Sequence, residues 1–424
     1  MAEATSYPND LNEPRTRAGG SGLIVRIAWR NLWRNKRRTW LTAGGIAFST
    51  LLVNFGMSSQ VGSYDSMIGN ATGLLEGQMQ ITHAEYPNET KLEQTIEGAA
   101  ELVQELDRIP NVVAAPRAEA FALLSADERS FGGLIVGVDF EREAEIITLF
   151  KTISAGRAPQ NDEEMLIGST MARNLGLSVG DEVVALGSAK QGGIAAMAQT
   201  VVGIYNSGQA ELDRTLVFVT LPAAQNAFAL GDEVHKIVLS GENAQDLEEE
   251  LAAVTKVTGD RGLVRSWEEV IPELNQAIQL DWVSAQLVYG IILLLVSFSV
   301  INTFLMVVFE RTREFGMLIA IGMRPALIVW QVLAEAFFMW IVGVVIGVVI
   351  ALSLVIWLAQ VGIPIEGMEE MVGSFYMSDR MYPAFSWLGI LAAPVVLFFG
   401  TQLAGLIATM RVRKIKPVEA LRGE

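Results

Sequence analysis

The residues of this chain best placed to do chemistry lie between Glu310 and Pro325, where ERTREFGMLIAIGMRP interrupts two long apolar runs. Glu310, Arg311, Arg313 and Glu314 bring charge, and Phe315, Met317, Leu318 and Ile321 follow at helical spacing on roughly one side. The combination suits docking: a short amphipathic helix offering an apolar face to a partner, with a membrane-surface helix that has no partner as the plainer alternative. Gly322 suits the left-handed residue that closes a helix, and Pro325 the first turn of the next one. Catalytic chemistry is sparse elsewhere. The sequence contains no G-x-x-x-x-G-K-[ST], H-E-x-x-H or G-x-S-x-G motif and no dinucleotide fingerprint. It has no cysteine and only two histidines, His83 and His235, far apart in sequence, so no catalytic residue and no metal ligand is expected. The acidic runs Glu141–Glu145 and Glu248–Glu250 lack the alternating oxygen ligands and glycine of a calcium loop and read as solvated helix faces.

The elements that hold this joint are apolar. Uncharged runs cover Thr39–Tyr64, Trp282–Phe309, Ala336–Ile365 and Met381–Met410, with 26, 28, 30 and 30 residues, and each is long enough to cross a bilayer as a helix. The positive mean hydropathy of 0.36 fits such a chain and not an ordinary soluble one. The expected organisation is a disordered cytoplasmic tail (1–22), an amphipathic interfacial helix (23–38), a first span (39–64), an extracytoplasmic domain (65–281), a second span (282–309), the coupling segment (310–325), a third span (326–360), a short outer loop (361–382), a fourth span (383–410) and a cytoplasmic tail (411–424). The fold class is therefore a polytopic α-helical membrane protein with four spans and a large α+β domain inserted between the first two.

Basic residues set the orientation. Arg26, Arg30, Arg34 and Arg37 recur at steps of four, four and three, with Trp29, Trp33 and Trp40 as a neighbouring aromatic stripe. Of these, Arg26, Trp29, Arg30, Trp33, Arg34 and Arg37 are the expected membrane-interface residues; a nucleic-acid patch is the rival reading, and direct fusion to a span argues against it. A cleaved signal peptide is the rival reading of the first span, whose apolar run is longer than a signal core. Basic residues again follow the last span, so both tails and the joint are expected inside and residues 65–281 outside. That insert carries 35 acidic and 14 basic residues, against 12 and 17 in the rest of the chain.

Within the insert, strands are expected at Gly77–Thr82, Val112–Leu124, Gly133–Val138, Thr200–Tyr205, Thr215–Thr220 and Val234–Leu239, and helices at Thr95–Ile109, Ser169–Leu175, Ala223–Leu230 and Ala244–Lys256. Ser266 and Glu269 form a plausible capping box that starts a rod running straight into the second span. In the third span Gly343 and Gly347 make a G-x-x-x-G pair that permits close helix packing, while Glu335 near its inner end is read either as an acid reaching the interface or as a functional intramembrane carboxylate.

Three separated segments resemble one family. AWRNLWRNKRRTWLTAGGIAFS (Ala28–Ser49), ERTREFGMLIAIGM (Glu310–Met323) and RVRKIKPVEALRGE (Arg411–Glu424) are similar to the first span, the cytoplasmic joint and the P-x-E-A-L-R tail of the FtsX/MacB/Lol-type permeases of ATP-binding-cassette systems. Within it, Ala115–Glu145 and Ser207–Leu221 look most like the lipoprotein-releasing permeases of the LolC/LolE type. The resemblance implies a non-catalytic subunit of the bacterial inner membrane, worked by a separate cytoplasmic ATPase dimer that binds ATP and magnesium, so that no cofactor belongs to this chain. It implies a second permease chain, identical or different, and a lipoprotein or other hydrophobic substrate, with a periplasmic chaperone or adaptor and membrane lipids as further partners and no nucleic acid. MacB-like drug or peptide export and FtsX-like control of a cell-wall hydrolase are the alternatives. The ATPase-coupling role carries over onto Arg311, Arg313, Glu314, Phe315, Gly316, Met317 and Leu318. On this reading aspartate at Phe315 and Leu318 uncouples the ATPase without unfolding the spans.

Overall fold

The computed structural model describes residues 20–87, 90–242, 244, 247–364 and 380–410. The expected tails up to residue 19 and from 411 onward, and residues 365–379 of the expected outer loop, lie outside the described residues. The chain divides into two compact units: one containing Trp282–Gly362 with the segments up to Val61 and from Tyr382, the other Gly62–Asp281 with Ile363–Met381.

Among the described residues four helices are long and apolar enough to cross a membrane: Lys36–Glu76, Pro272–Glu310, Pro325–Val361 and Trp387–Met410. An N-terminal helix, Gly20–Arg34, precedes them. It differs from the expected 23–38. Asn35 is a turn residue, and the next helix starts at Lys36, inside the basic run, and continues to Ala71, well past the expected limit of 64. Thr39 holds this break: its N–H donates to the Asn35 carbonyl and its hydroxyl to the Leu32 carbonyl that the first helix leaves free. Arg37 consequently sits on a different helix from Arg26, Arg30 and Arg34, and the four-arginine stripe is not continuous.

The second span also begins differently. Ser266 makes no capping bond, and Trp267–Val270 is a single turn that stops at Ile271. Pro272 forces that stop, because the residue before a proline is pushed out of the helical region, here to φ −122° and ψ 66°. From Pro272 the helix runs without interruption for 39 residues. In the third span Gly343 and Gly347 lie against the first. A Cβ added at Gly343 would come within 2.8 Å of the Ala43 carbonyl, and one at Gly347 within 2.6 Å of the Ala47 carbonyl. The core of this unit is made by Ile46, Val53, Phe304, Ile328, Val332 and Leu397 and their neighbours.

The other unit is organised around β2 (Val113–Ala126), which follows β1 (Met79–Thr82) and turns at Asp127 into β3 (Arg129–Val138). After β4 (Ile153–Gly156) come β5 (Glu164–Gly168), β6 (Glu182–Ser188), β7 (Ile194–Tyr205), β8 (Leu216–Thr220), β9 (Lys236–Ser240) and β10 (Leu263–Ser266). The pairings β2–β3, β3–β8, β8–β5, β5–β7, β7–β6 and β6–β2 close on themselves. This ring leaves no open edge among its members, and its interior is filled by Ala120, Ala122, Ile135, Ile167, Val183 and Val217. The first half of β2 pairs instead with β9, which continues through β1 to β10. Helices Ala99–Leu106 and Glu248–Thr258 contribute to a second core there with Met79, Ile81 and Leu239. Short strands β11 (Ile363–Pro364) and β12 (Arg380–Met381) pair with each other.

Strands β4, β5, β6 and β10 lie outside the sequence expectation, as do helices Phe140–Ile146 and Ala210–Thr215. Strand β5 is buried on both faces and lacks alternation, so it carries no period-two signal. The helix at 140–146 also corrects the reading of Glu141–Glu145 as a solvated face. Glu143 is fully buried and accepts from Arg117 Nε and Nη2 at 2.6 and 2.7 Å, Arg117 being buried as well.

Two expectations follow. Gly347→Ala lowers the thermal midpoint of the detergent-solubilised chain, whereas Gly44→Ala, whose methyl meets nothing within 4 Å, leaves it unchanged or raises it, since helix propensity favours alanine by up to about 1 kcal/mol; equal responses would contradict the helix crossing. In denaturant titrations Glu143→Gln costs about 3–5 kcal/mol, and Arg117→Met combined with Glu143→Leu recovers most of it; a double variant as weak as the single one would show that the pair is worth more than its packing volume.

Candidate functional site

The joint is built from the end of one span and the start of the next. The second span stops at Glu310, Arg311 leaves helical geometry, and a nine-residue helix, Thr312–Ala320, follows. Gly322 closes it at φ +101°, a conformation that favours glycine, and Pro325 opens the third span as its first-turn residue.

Arg311 is the organising side chain. Its Nη1 donates to both carboxylate oxygens of Glu335 at 3.0 Å, and its Nε donates to Glu314 at 3.1 Å. Both members of the first pair are buried, at 8% and 6% exposure. Glu335 accepts further bonds from Asn31 Nδ2 at 2.9 Å and Gln331 Nε2 at 3.3 Å. Glu314 accepts from Arg34 at 3.0 Å, and Arg38 pairs with Glu310 at 2.7 Å. Burial alone would raise the Glu314 carboxyl; hydrogen bonds from Arg311 and the field of Arg34 outweigh it and hold the group below its ordinary value. Three sequence-distant elements, the N-terminal helix, the joint and the third span, are thus tied by one charged network. Glu335 is buried and paired, the acceptor at the centre of this network.

The apolar side of the joint turns inward in part. Phe315 is fully buried, lies 5.1 Å below the Arg311 guanidinium, and belongs to the core with Leu32, Ile328 and Val332. Gly316 is buried and Leu318 half-buried. Phe315 therefore cannot offer its ring to a partner, and aspartate there removes core packing instead of only a docking contact. What the joint leaves open is another stripe: Arg313, Met317 at 45% exposure and Ile321 at 85%, four residues apart. The helical period shows that one face is apolar; it does not show which edge of that face the protein itself covers.

The basic N-terminal helix splits its arginines. Arg26 and Arg30 are exposed, as is Arg37 on the first span, whereas Arg34 is committed to Glu314. Ala28 and Leu32 are buried. Trp29 packs edge-on against Phe338 of the third span and against Trp33, which in turn meets Trp40. Asn31 was missed because a lone asparagine on an amphipathic helix carries no signal. Arg311 and Glu335 do carry one, as opposite charges flanking the same turn of the chain.

In the inserted domain no group of three or more metal-ligating side chains occurs among the described residues. His235 is a buried neutral ring: Nδ1 accepts from the Glu119 amide at 2.9 Å, leaving Nε2 to donate to the Leu92 carbonyl at 3.2 Å, and burial lowers its pKa. His83 accepts from the Glu85 amide at 3.3 Å. Glu119 joins Lys236 and the Tyr86 hydroxyl at 2.8 and 2.7 Å. A cavity of about 190 Å³ beside them is lined by Tyr86, Leu92, Phe121 and Ser188 among others.

The FtsX-like permease C-terminal family model matches residues 287–417, and the MacB-like periplasmic core domain model matches residues 39–257, just over half of the chain. The chain is 24% identical over 332 residues to the lipoprotein-releasing system transmembrane protein LolC of Neisseria meningitidis, covering 74% of this chain and 78% of that one. It is 21% identical over 411 residues to the lipoprotein-releasing system transmembrane protein LolE of Haemophilus influenzae, covering 93% and 98%. Against the pyoverdine export ATP-binding/permease protein PvdT of Pseudomonas syringae the identity is 24% over 430 residues, 94% of this chain and 59% of that protein.

The joint's two sides are expected to respond differently to charge. Phe315→Asp lowers stability by at least about 3–5 kcal/mol, as loss of a buried aromatic does, and Met317→Asp with Ile321→Asp leaves the melting curve close to that of the parent. A double variant that melts as early as Phe315→Asp would show that the exposed stripe is also structural.

Proposed function

Because this chain belongs to the FtsX-like permeases that carry a MacB-like periplasmic core domain, we propose that it is the permease subunit of an ABC transporter that moves a lipidated or hydrophobic substrate at the outer face of the bacterial inner membrane. Lipoprotein release is the favoured task. In this reading the joint and both tails face the cytoplasm and residues 65–281 the periplasm. A separate ATPase dimer binds ATP and magnesium and grips the joint through Arg313, Met317 and Ile321.

The observation that carries the proposal is the charged network behind that stripe. A push on the helix 312–320 is passed by Glu314 and Arg311 to Arg34, Asn31 and Glu335, so the N-terminal helix and the third span move with it. The second span adds a stiff rod: 39 helical residues measure about 58 Å, well beyond the roughly 30 Å of a hydrocarbon core. In this reading motion at the joint is carried along that one unbroken helix. Likeness to LolC and LolE over most of the chain supports lipoprotein as the cargo, with a second permease chain and a periplasmic acceptor as partners. The match to PvdT along 94% of this chain favours export through an adaptor as the second reading.

A mild-detergent pull-down of the tagged chain from its own cells, with mass spectrometry of proteins and lipids, tests this. The expected result is an ATPase together with acylated lipoproteins, and ATP turnover in that complex that becomes insensitive to substrate in the Met317→Asp, Ile321→Asp variant. An adaptor in place of lipoproteins transfers the proposal to export, a wall hydrolase transfers it to FtsX-like regulation, and recovery of no ATPase refutes it.

A further inference from the structure

Where Gly343 and Gly347 bring the third span against the first, the first span carries buried polar groups. A Cβ added at Gly343 would come within 2.7 Å of Ile46, and one at Gly347 within 2.7 Å of the Thr50 Cβ. The register advances four residues on each helix, which sets the buried Ala351 level with Asn54. Thr50 and Asn54, one turn apart on this face, are 0% and 2% exposed. The Thr50 hydroxyl and both atoms of the Asn54 amide have no hydrogen-bond partner among the described residues, and Gly347 and Ala351 opposite them offer no polar side-chain atom. Other hydroxyls of the spans behave differently: those of Ser49, Ser297 and Thr401 donate to carbonyls of their own helices at 3.1, 2.8 and 2.9 Å.

Unmet polar groups are costly inside an apolar bundle and persist when something answers them. The chemistry of the set selects what that is. An amide needs an acceptor at its nitrogen and a donor at its oxygen, and the hydroxyl can serve as either. A cation would satisfy the two oxygens and oppose Asn54 Nδ2; an anion would do the reverse. Neither would find a counter-charge, because the apolar runs around the pair, Thr39–Tyr64 and Ala336–Ile365 among them, are uncharged. A lipid headgroup or a second copy cannot reach side chains buried this far. Water donates and accepts at once, and side chains one turn apart, about 5–6 Å between Cβ atoms, are bridged by one molecule with two hydrogen bonds. We infer that Thr50 and Asn54 hold a buried water between the first and third spans, a polar binding site inside the spanning unit.

Methionines report on this without a label. Met57, one turn beyond Asn54, and Met339 belong to one core and are 6% and 5% exposed, so bulk water reaches both equally poorly. Radiolysis by an X-ray pulse turns internal water into hydroxyl radicals that oxidise the nearest methionine to its sulfoxide. With the full chain in its native membranes, Met57 is expected to oxidise about fivefold faster than Met339, and Thr50→Val combined with Asn54→Leu to bring it down to the Met339 rate. The near-isosteric Thr50→Val alone, read for the case in which the double variant loosens the bundle, is expected to lower the Met57 rate about twofold. Met57 as slow as Met339 in the parent overturns the inference, and so does a Met57 rate that neither variant lowers. A Met57 rate that changes when sodium in the buffer is replaced by choline assigns the site to a cation and overturns it too. The inference rests on the packing of the spans alone, and its readout needs neither the ATPase nor the cargo, so it stands or falls apart from the pull-down.

Discussion

The pairing of Arg311 with Glu335 governs the joint because neither charge is stable there without the other. Removing two ions from water costs several kcal/mol each, and the attraction between them repays this only when the remaining donors and acceptors are also filled. Here they are: Glu335 takes bonds from Asn31 and Gln331, and Arg311 spends its Nε on Glu314 and its face on Phe315. Such a network adds little net stability but admits one arrangement of its members. The N-terminal helix, the nine-residue helix and the third span are therefore held in a single register, and a displacement of one is shared by all three. Apolar packing alone would let the same elements slide past one another at small cost.

The four long apolar helices were legible because hydrocarbon imposes a coarse and demanding rule: about 20 uncharged residues for each span. The spans, the inserted domain and the joint follow from it directly. Their ends do not, since these depend on single contacts. Asn35 breaks the helix because Thr39 satisfies the carbonyls released there, and Pro272 restarts one by distorting Ile271; neither is visible as periodicity. Phe315 shows the same limit within the joint. It shares the apolar face with Met317 and Ile321, and only the packing of Leu32, Ile328 and Val332 decides which of them the fold keeps for itself.

The inserted domain was legible by class more than by topology. Alternating or β-branched runs revealed β2, β3 and β8, whereas β5, with a single β-branched residue and no exposed face, looks like any short apolar run. Ring closure could not be read at all, because it depends on β6, which forms a hairpin with β7, also pairing with β2 far from it in sequence. The alanines of β2 acquire meaning only afterwards. Ala118, Ala120 and Ala122 point inward, where small side chains leave room for Ile135, Ile167 and Val217 from the strands around them.

The second span brings these constraints together. Leu293, Val300 and Phe304 are held by the chain's own core, and its end at Glu310 is clamped to Arg38. A helix fixed in this way cannot rotate freely about its axis, because turning it would expose that apolar row and pull Glu310 away from its arginine. The same row that makes the helix long and apolar enough to cross a membrane thus also fixes which way its charged end faces, toward Arg38 and the joint.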